Sequence, residues 1–125
     1  MTYKSVIMYN YKIKNIDATV QAATLMGSPL PGGFRVTHLF IDLTSVSGLI
    51  SAPVISLGKT SSSYNDIIPA TAMTSLSTAS NSCVIPVSGL IVDMINGDGL
   101  YFNVSTAGVA TTYTIDVTIE GFYDL

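Results

Sequence analysis

One histidine, one cysteine and eight carboxylates are the residues from which this 125-residue chain would have to build acid–base, nucleophilic or metal chemistry. Nucleophilic catalysis needs a serine or thiol within hydrogen-bond reach of a base, and His38 is the one histidine that can serve. It stands between Thr37 and Leu39 in an apolar-rich run, where a hydrogen-bonded core or interface imidazole is the simpler reading. Cys83 precedes Val84 and Ile85, a setting for an inert buried thiol. As a lone cysteine it gives neither an internal disulfide nor a Cys-based zinc framework within this sequence. The carboxylates are scattered, so the close acid and base of a glycosidase are not set up by spacing. Asp93, Asn96 and Asp98 gather round a Gly-rich turn without the spacing of a twelve-residue calcium loop, and read as turn chemistry. No catalytic, metal or cofactor residue is assigned, and the expectation is a protein that is not an enzyme. Asn103-Val104-Ser105 fits the N-glycosylation pattern, a coincidence given that the start, Met1-Thr2-Tyr3-Lys4-Ser5, lacks the pattern of a secretory signal.

Contact chemistry is better represented. Seven tyrosines offer apolar area with a hydroxyl, a combination favoured in protein interfaces and carbohydrate sites alike. Lys4, Lys12 and Lys14 share parity in the first apolar segment and so fall on one face of a strand. Tyr9 and Tyr11 share the other. These five residues are the candidate contacts with an acidic protein partner; the same lysines also read as a solvated row that protects a sheet edge. Tyr64, Asn65 and Asp66 are the candidate contacts for a glycan.

The elements that must position these residues are strands. Tyr113 to Glu120 alternates apolar and polar residues for eight positions, with Tyr113, Ile115, Val117 and Ile119 facing a core. Tyr3 to Lys14 predicts a long first strand, closed by a turn at Asn15-Ile16-Asp17. Residues 19–26 are ambiguous: Ala22-Ala23 and Leu25-Met26 suit a helical turn, but the Pro/Gly loop from Gly27 to Gly33 ends it abruptly. Phe34 to Val46 is apolar on both parities, which predicts a strand covered on both faces, one of them by another subunit. Pro53 to Leu57 predicts a short strand, Gly58 to Ser63 a turn, and Tyr64 to Ile68 a short strand or single helical turn. Residues 73–82, rich in Ser, Thr and Ala, fit an ordered loop or a weak strand. Cys83 to Val87 and Leu90 to Ile95 are apolar runs, the second joined through Asn96-Gly97-Asp98-Gly99 to Leu100–Thr106 as a hairpin. With seven to nine strands, short connections and no long helix, the expected fold is all-β: one jelly-roll or β-sandwich domain, residues 1–125, of about eight antiparallel strands.

Composition sets the exterior. Charged residues are 10% of the chain, against about 25% in an average soluble domain, while 14 Thr and 15 Ser supply hydroxyls instead. Such an exterior fits one covered in part by partner subunits. The net charge of −3 argues against a general nucleic-acid binder, which needs clustered Lys and Arg to release counterions. No run approaches the roughly 18 apolar residues of a membrane span. Neither nucleic acid nor membrane is expected as a partner, and synthesis in a cytoplasm is.

Pro53-Val54-Ile55-Ser56-Leu57-Gly58 with the Tyr64-Asn65-Asp66-Ile67 segment, Leu100-Tyr101-Phe102-Asn103-Val104-Ser105-Thr106-Ala107, and the Thr-rich strand closing on Gly121-Phe122-Tyr123 together resemble the small jelly-roll virion proteins of tailed bacteriophages, over about the last three fifths of the chain. The resemblance implies a homotrimeric virion protein. Its members serve as head decoration (cement) proteins, head-fibre domains or tail-fibre modules. The decoration role is the one expected here: a subunit on the outer capsid surface, made in the host cytoplasm, contacting the major capsid protein lattice through the first segment. A receptor- or carbohydrate-binding module of a tail fibre, using Tyr64, Asn65 and Asp66, is the alternative.

Overall fold

The computed structural model describes residues 6–27, 34–59, 63–87 and 99–124 of the chain. Among these residues eight strands follow in order: β1 (Val6–Asp17), β2 (Ala23–Gly27), β3 (Phe34–Ser47), β4 (Val54–Gly58), β5 (Ile68–Ala72), β6 (Ser82–Pro86), β7 (Leu100–Thr106) and β8 (Thr112–Asp124). They form two four-stranded sheets, β1-β8-β3-β6 and β2-β7-β4-β5, and every pairing is antiparallel. The pairs β1–β8, β2–β7, β3–β6 and β4–β5 are those of one long folded hairpin, and β3–β8 and β4–β7 are the contacts made when that hairpin is rolled up. This is a jelly roll, as expected.

One core joins the sheets. Phe34, Val36, Leu39, Ile41 and Leu43 of β3 and Tyr113, Ile115, Val117 and Ile119 of β8 meet Ile55, Leu57, Leu100, Phe102 and Val104 of the opposite sheet, all of them buried. The alternation in β8 therefore holds without a miss. Tyr113 is fully buried, and its hydroxyl donates to the Leu76 carbonyl at 2.6 Å. That bond anchors residues 73–81, whose Met73 and Leu76 are buried and whose backbone bonds to Pro53 and Leu43. The segment is an ordered loop running up to β6.

Bulges account for two features of the sequence. The apolar residues of β3 on both parities reflect a slip in register, and within the chain the opposite sheet covers one face of the strand. The register slips between Val36 and His38, so inward positions change from Phe34 and Val36 to Leu39, Ile41 and Leu43. A one-residue bulge swaps faces because the side-chain period is two. Between Phe34 and Leu43 only Phe40 is left as an outward apolar residue, and the outer face is half-exposed. The turn expected at Asn15-Ile16-Asp17 is also a bulge, inside β1. The pairing jumps from Ile13↔Val117 to Ile16↔Ile115, with Asn15 at φ 61° and its N–H donating to Asp116 Oδ1 at 3.0 Å. Asparagine tolerates this left-handed conformation better than other side chains, so the strand continues to Asp17. There the Thr19 hydroxyl and N–H cap the Asp17 carboxylate at 2.6 and 3.0 Å and hold its pKa below the usual value.

The remaining elements follow the sequence except at residues 64–67, where neither the short strand nor the helical turn expected from Tyr64 forms. Residues 19–26, readable as helix or strand, resolve into a bend and β2. Residues 64–67 are irregular and β5 begins at Ile68. Pro69 and Pro86 lie in β5 and β6, which are edge strands and so tolerate a missing N–H. Leu100–Thr106 is β7 as expected; its proposed partner at 90–95 and the intervening turn lie outside the described residues.

Candidate functional site

The outer face of the β1-β8-β3-β6 sheet is broad because its strands are long. Cross-strand register lays it out in rows: Met8, Phe122 and Arg35; Asn10, Glu120, His38 and Pro86; Lys12, Thr118, Phe40 and Val84. Met8 is 61% exposed and Val84 51%. Phe40 is half-buried and lies against the His38 ring, centroids 5.9 Å apart.

The bulge at Thr37 aims His38 outward, since without it His38 would share the inward parity of Phe34 and Val36. Its side chain is 41% exposed, with Nδ1 3.3 Å from Glu120 Oε1 and 3.2 Å from Thr37 Oγ1. Glutamate, histidine and hydroxyl thus adjoin, but both contacts fall on one nitrogen. A triad base binds its orienting carboxylate through one ring nitrogen and its nucleophile through the other, so this group is an exposed polar pair and no relay.

The residues expected to form a partner contact are divided by the fold. Lys12 and Lys14 are exposed. Tyr11 points the other way: its ring packs edge-on against Phe34, centroids 5.3 Å apart at 87°, at the margin of the core. Phe34 in turn lies over Gly121, where an added Cβ would strike the Arg35 carbonyl and the Phe34 ring. Tyr11 thereby helps to seal β1 onto the sandwich. The backbone of Tyr9 pairs with Gly121; its side chain, and all of Lys4, lie outside the described residues. Cys83 is half-buried in β6, and burial, then the Asp42 carboxylate, push its thiol pKa up. Such a thiol is a poor nucleophile at neutral pH.

The outer face of the β2-β7-β4-β5 sheet differs. Tyr101, Asn103 and Ser105 alternate with the buried Leu100, Phe102 and Val104 and therefore share its outer side. Asn103 and Ser105, with Gln21, buried Ser56, Ser63, Asn65 and Ala70, enclose an open cleft of about 300 Å³. Asn103 Nδ2 donates to the Ser63 carbonyl at 3.2 Å and to Ser56 Oγ at 3.4 Å, so this asparagine of the Asn-Val-Ser pattern is tied into the cleft wall. Gln21 Nε2 donates to the Ser105 carbonyl at 2.9 Å.

The three residues expected at a glycan site have distinct places here. Asn65 is exposed on the cleft rim. The Tyr64 ring lies on Tyr101, centroids 4.5 Å apart. Asp66 works inward: its Oδ1 accepts from the Lys59 N–H at 2.9 Å and fills the space that a Cβ at Gly58 would need. Tyr64 is held at φ 45°, a left-handed conformation that costs a bulky residue of order 1–3 kcal/mol. The Lys59–Asp66 bond and the close approach to Gly58 are what hold it. Gln21, Ser56, Asn103 and Ser105 were not expected from spacing. The period-2 order Tyr101-x-Asn103-x-Ser105 was the available signal, but strands adjacent in space, not in sequence, bring in the rest. Among the described residues no cluster of His, Cys, Asp or Glu could hold a metal ion.

No protein-family model matches this sequence, and no curated protein matches it. Solved structures do. The fold is similar to a chain in the capsid of Ralstonia phage GP4, with TM-score 0.63 and 12% identity over 95% of this chain and 84% of that one. A chain of the cyanophage Pam1 capsid asymmetric unit gives TM-score 0.60 and 15% identity over 96% and 86%. A chain of the acidic stable capsid structure of Helicobacter pylori bacteriophage KHP30 gives 0.59 and 14% over 98% and 94%. At these identities the likeness is one of fold.

Proposed function

We propose that this chain is a non-enzymatic structural protein of a phage virion, a decoration (cement) subunit that binds the outer capsid surface as a homotrimer and stabilises the head. The observation that carries the reading is the similarity of the sandwich, over 95% to 98% of its length, to chains of three phage capsid structures. The surface supports it. With 10% charged residues the exterior is poor in the groups that keep a lone domain dispersed, and one broad face presents Met8 and Val84 in the open together with the half-buried Phe40. Apolar contact at about 25 cal/mol per Å², reduced by the cost of association, is modest at one site. A trimer engaging three equivalent sites raises the effective concentration of each contact after the first.

The capsid contact in this reading is the outer face of the β1-β8-β3-β6 sheet, with Lys12 and Lys14 meeting acidic groups of the lattice. The subunit is made in the host cytoplasm and joins the head there, and neither nucleic acid nor membrane is its partner. Immunogold labelling of particles from the source lysate tests the assignment. Even label over heads is expected. Label confined to tail ends would move the chain to a receptor- or carbohydrate-binding tail-fibre module, and unlabelled particles would remove the virion reading. Sedimentation of the pure protein at three times the chain mass is expected; a monomer at all concentrations would remove the trimer.

A further inference from the structure

We propose that the cleft on the outer face of the β2-β7-β4-β5 sheet is a binding site for a neutral hexopyranose, a sugar ring of a surface polysaccharide. The cleft is lined by Gln21, Asn65 and Asn103, which carry side-chain amides, and by Ser63, Ser105 and the buried Ser56, whose hydroxyl and that of Ser105 donate to the Ser63 and Val54 carbonyls. None of these carries a formal charge, so the site selects a ligand rich in hydroxyls and poor in charge. Vicinal hydroxyls of a sugar need paired donors and acceptors at one place, and amides supply both. The Nδ2 of Asn103 is spent on Ser56 and Ser63, which turns its carbonyl oxygen into the acceptor available to a ligand. The Asn65 side chain is exposed at the rim. At about 300 Å³ the cleft stands at the small end of ligand sites, the size for a single ring.

Two further observations point to a ligand. The Tyr64 and Tyr101 rings pack together, centroids 4.5 Å apart and tilted by 36°, and Tyr101 shares the outward side of β7 with Asn103. This places an aromatic platform, suited to the apolar face of a pyranose, beside the hydrogen-bonding groups. Tyr64 also holds the one bulky left-handed backbone among the described residues, and strain of that kind collects where a surface has been shaped for binding. A peptide strand is the less suitable occupant. The cleft lies over β7 and β4, the two inner strands of the sheet, whose backbone groups are already paired on both sides and offer no free ladder to a peptide.

The inference stands apart from the capsid assignment, since a sugar site functions equally on a head or a fibre. Saturation-transfer difference NMR on the full chain tests it, using the methyl glycosides of glucose, galactose, mannose and N-acetylglucosamine at millimolar concentration, with trialanine as the peptide control. Transfer to the ring protons of at least one glycoside is expected. Asn65→Ala, a change at an exposed side chain, should weaken that binding about tenfold, the scale of one or two lost hydrogen bonds, with the melting temperature unchanged. Asn103→Ala should abolish it. Absence of transfer from all four glycosides, undiminished binding by Asn65→Ala, or equal transfer to trialanine would each overturn the proposal.

Discussion

The two outer faces of this jelly roll differ in the residues they carry and in the length of the strands that present them. In the β1-β8-β3-β6 sheet three strands of 12, 14 and 13 residues lie side by side. Long ladders give a broad face with side chains set in rows, suited to docking against another broad surface. In the β2-β7-β4-β5 sheet the strands run five to seven residues, and the loop carrying Ser63 to Asp66 stands beside the short strands as the wall of a cleft. Breadth favours a protein partner, and concavity favours a small ligand. A subunit with one face of each kind can attach with the first and present the second.

The largest expected effect tests whether the faces share one foundation. Phe34→Ala should destabilise the protein by about 3–5 kcal/mol, the cost of emptying a fully buried phenylalanine site, because Phe34 supports Gly121 and Tyr11 as well as the core. Urea unfolding followed by tyrosine fluorescence and by circular dichroism should give coincident transitions for the parent and this variant; separate transitions would show that the sheets unfold independently and break the comparison at its base.

Tyr113→Phe comes next, at about 1–3 kcal/mol, since it leaves the buried Leu76 carbonyl without its donor. The same phenol sets an alkaline limit. Burial, reinforced by the neighbouring Cys83, pushes its pKa up to about 12, above the ordinary value near 10. The folded state therefore holds this proton more tightly than the unfolded chain does. Its contribution is complete below about pH 10 and is lost as pH rises towards about 12. Unfolding midpoints across that interval should fall for the parent and fall less for Tyr113→Phe.

Gly58→Ala sharpens the contrast between faces. The new Cβ would meet Asp66 Oδ1 and the backbone at Tyr64 and Asn65, and forcing the loop aside costs about 1–3 kcal/mol. Glycoside binding should disappear while attachment to capsids is retained. Loss of both would mean that the faces are not separate.

The smallest effect on stability belongs to the docking face. Met8→Asp with Val84→Asp alters exposed side chains and should leave stability within about 0.5 kcal/mol per change. Binding of the purified variant to undecorated particles should nonetheless fall at least tenfold, and unchanged binding would move the attachment surface elsewhere.

How much of this was legible in the sequence depended on whether a segment kept its period. The alternation in β8 is unbroken from Tyr113 to Glu120, and the inward and outward residues read from it are the ones found. In β3 the pattern is interrupted by an extra residue at Thr37, and two apolar half-strands of opposite parity looked like one strand with two covered faces. Asn15, a residue at home in turns, marked a backbone conformation correctly and a chain reversal wrongly, because the Asp116 carboxylate on the neighbouring strand captures its N–H and lets the ladder continue.

The sequence by itself determined an all-β chain, the positions of its longest strands, the inward set of aliphatic and aromatic residues, and the scarcity of groups for catalysis. These are properties of spacing and residue type, which act between neighbours along the chain. Only the tertiary structure decided that Tyr11 packs against Phe34, where His38 points, and that Gln21, Ser56, Asn65 and Asn103 share a cleft. Those outcomes depend on the register between strands distant in the sequence, and a single bulge, by exchanging the two faces of everything beyond it, is enough to change them.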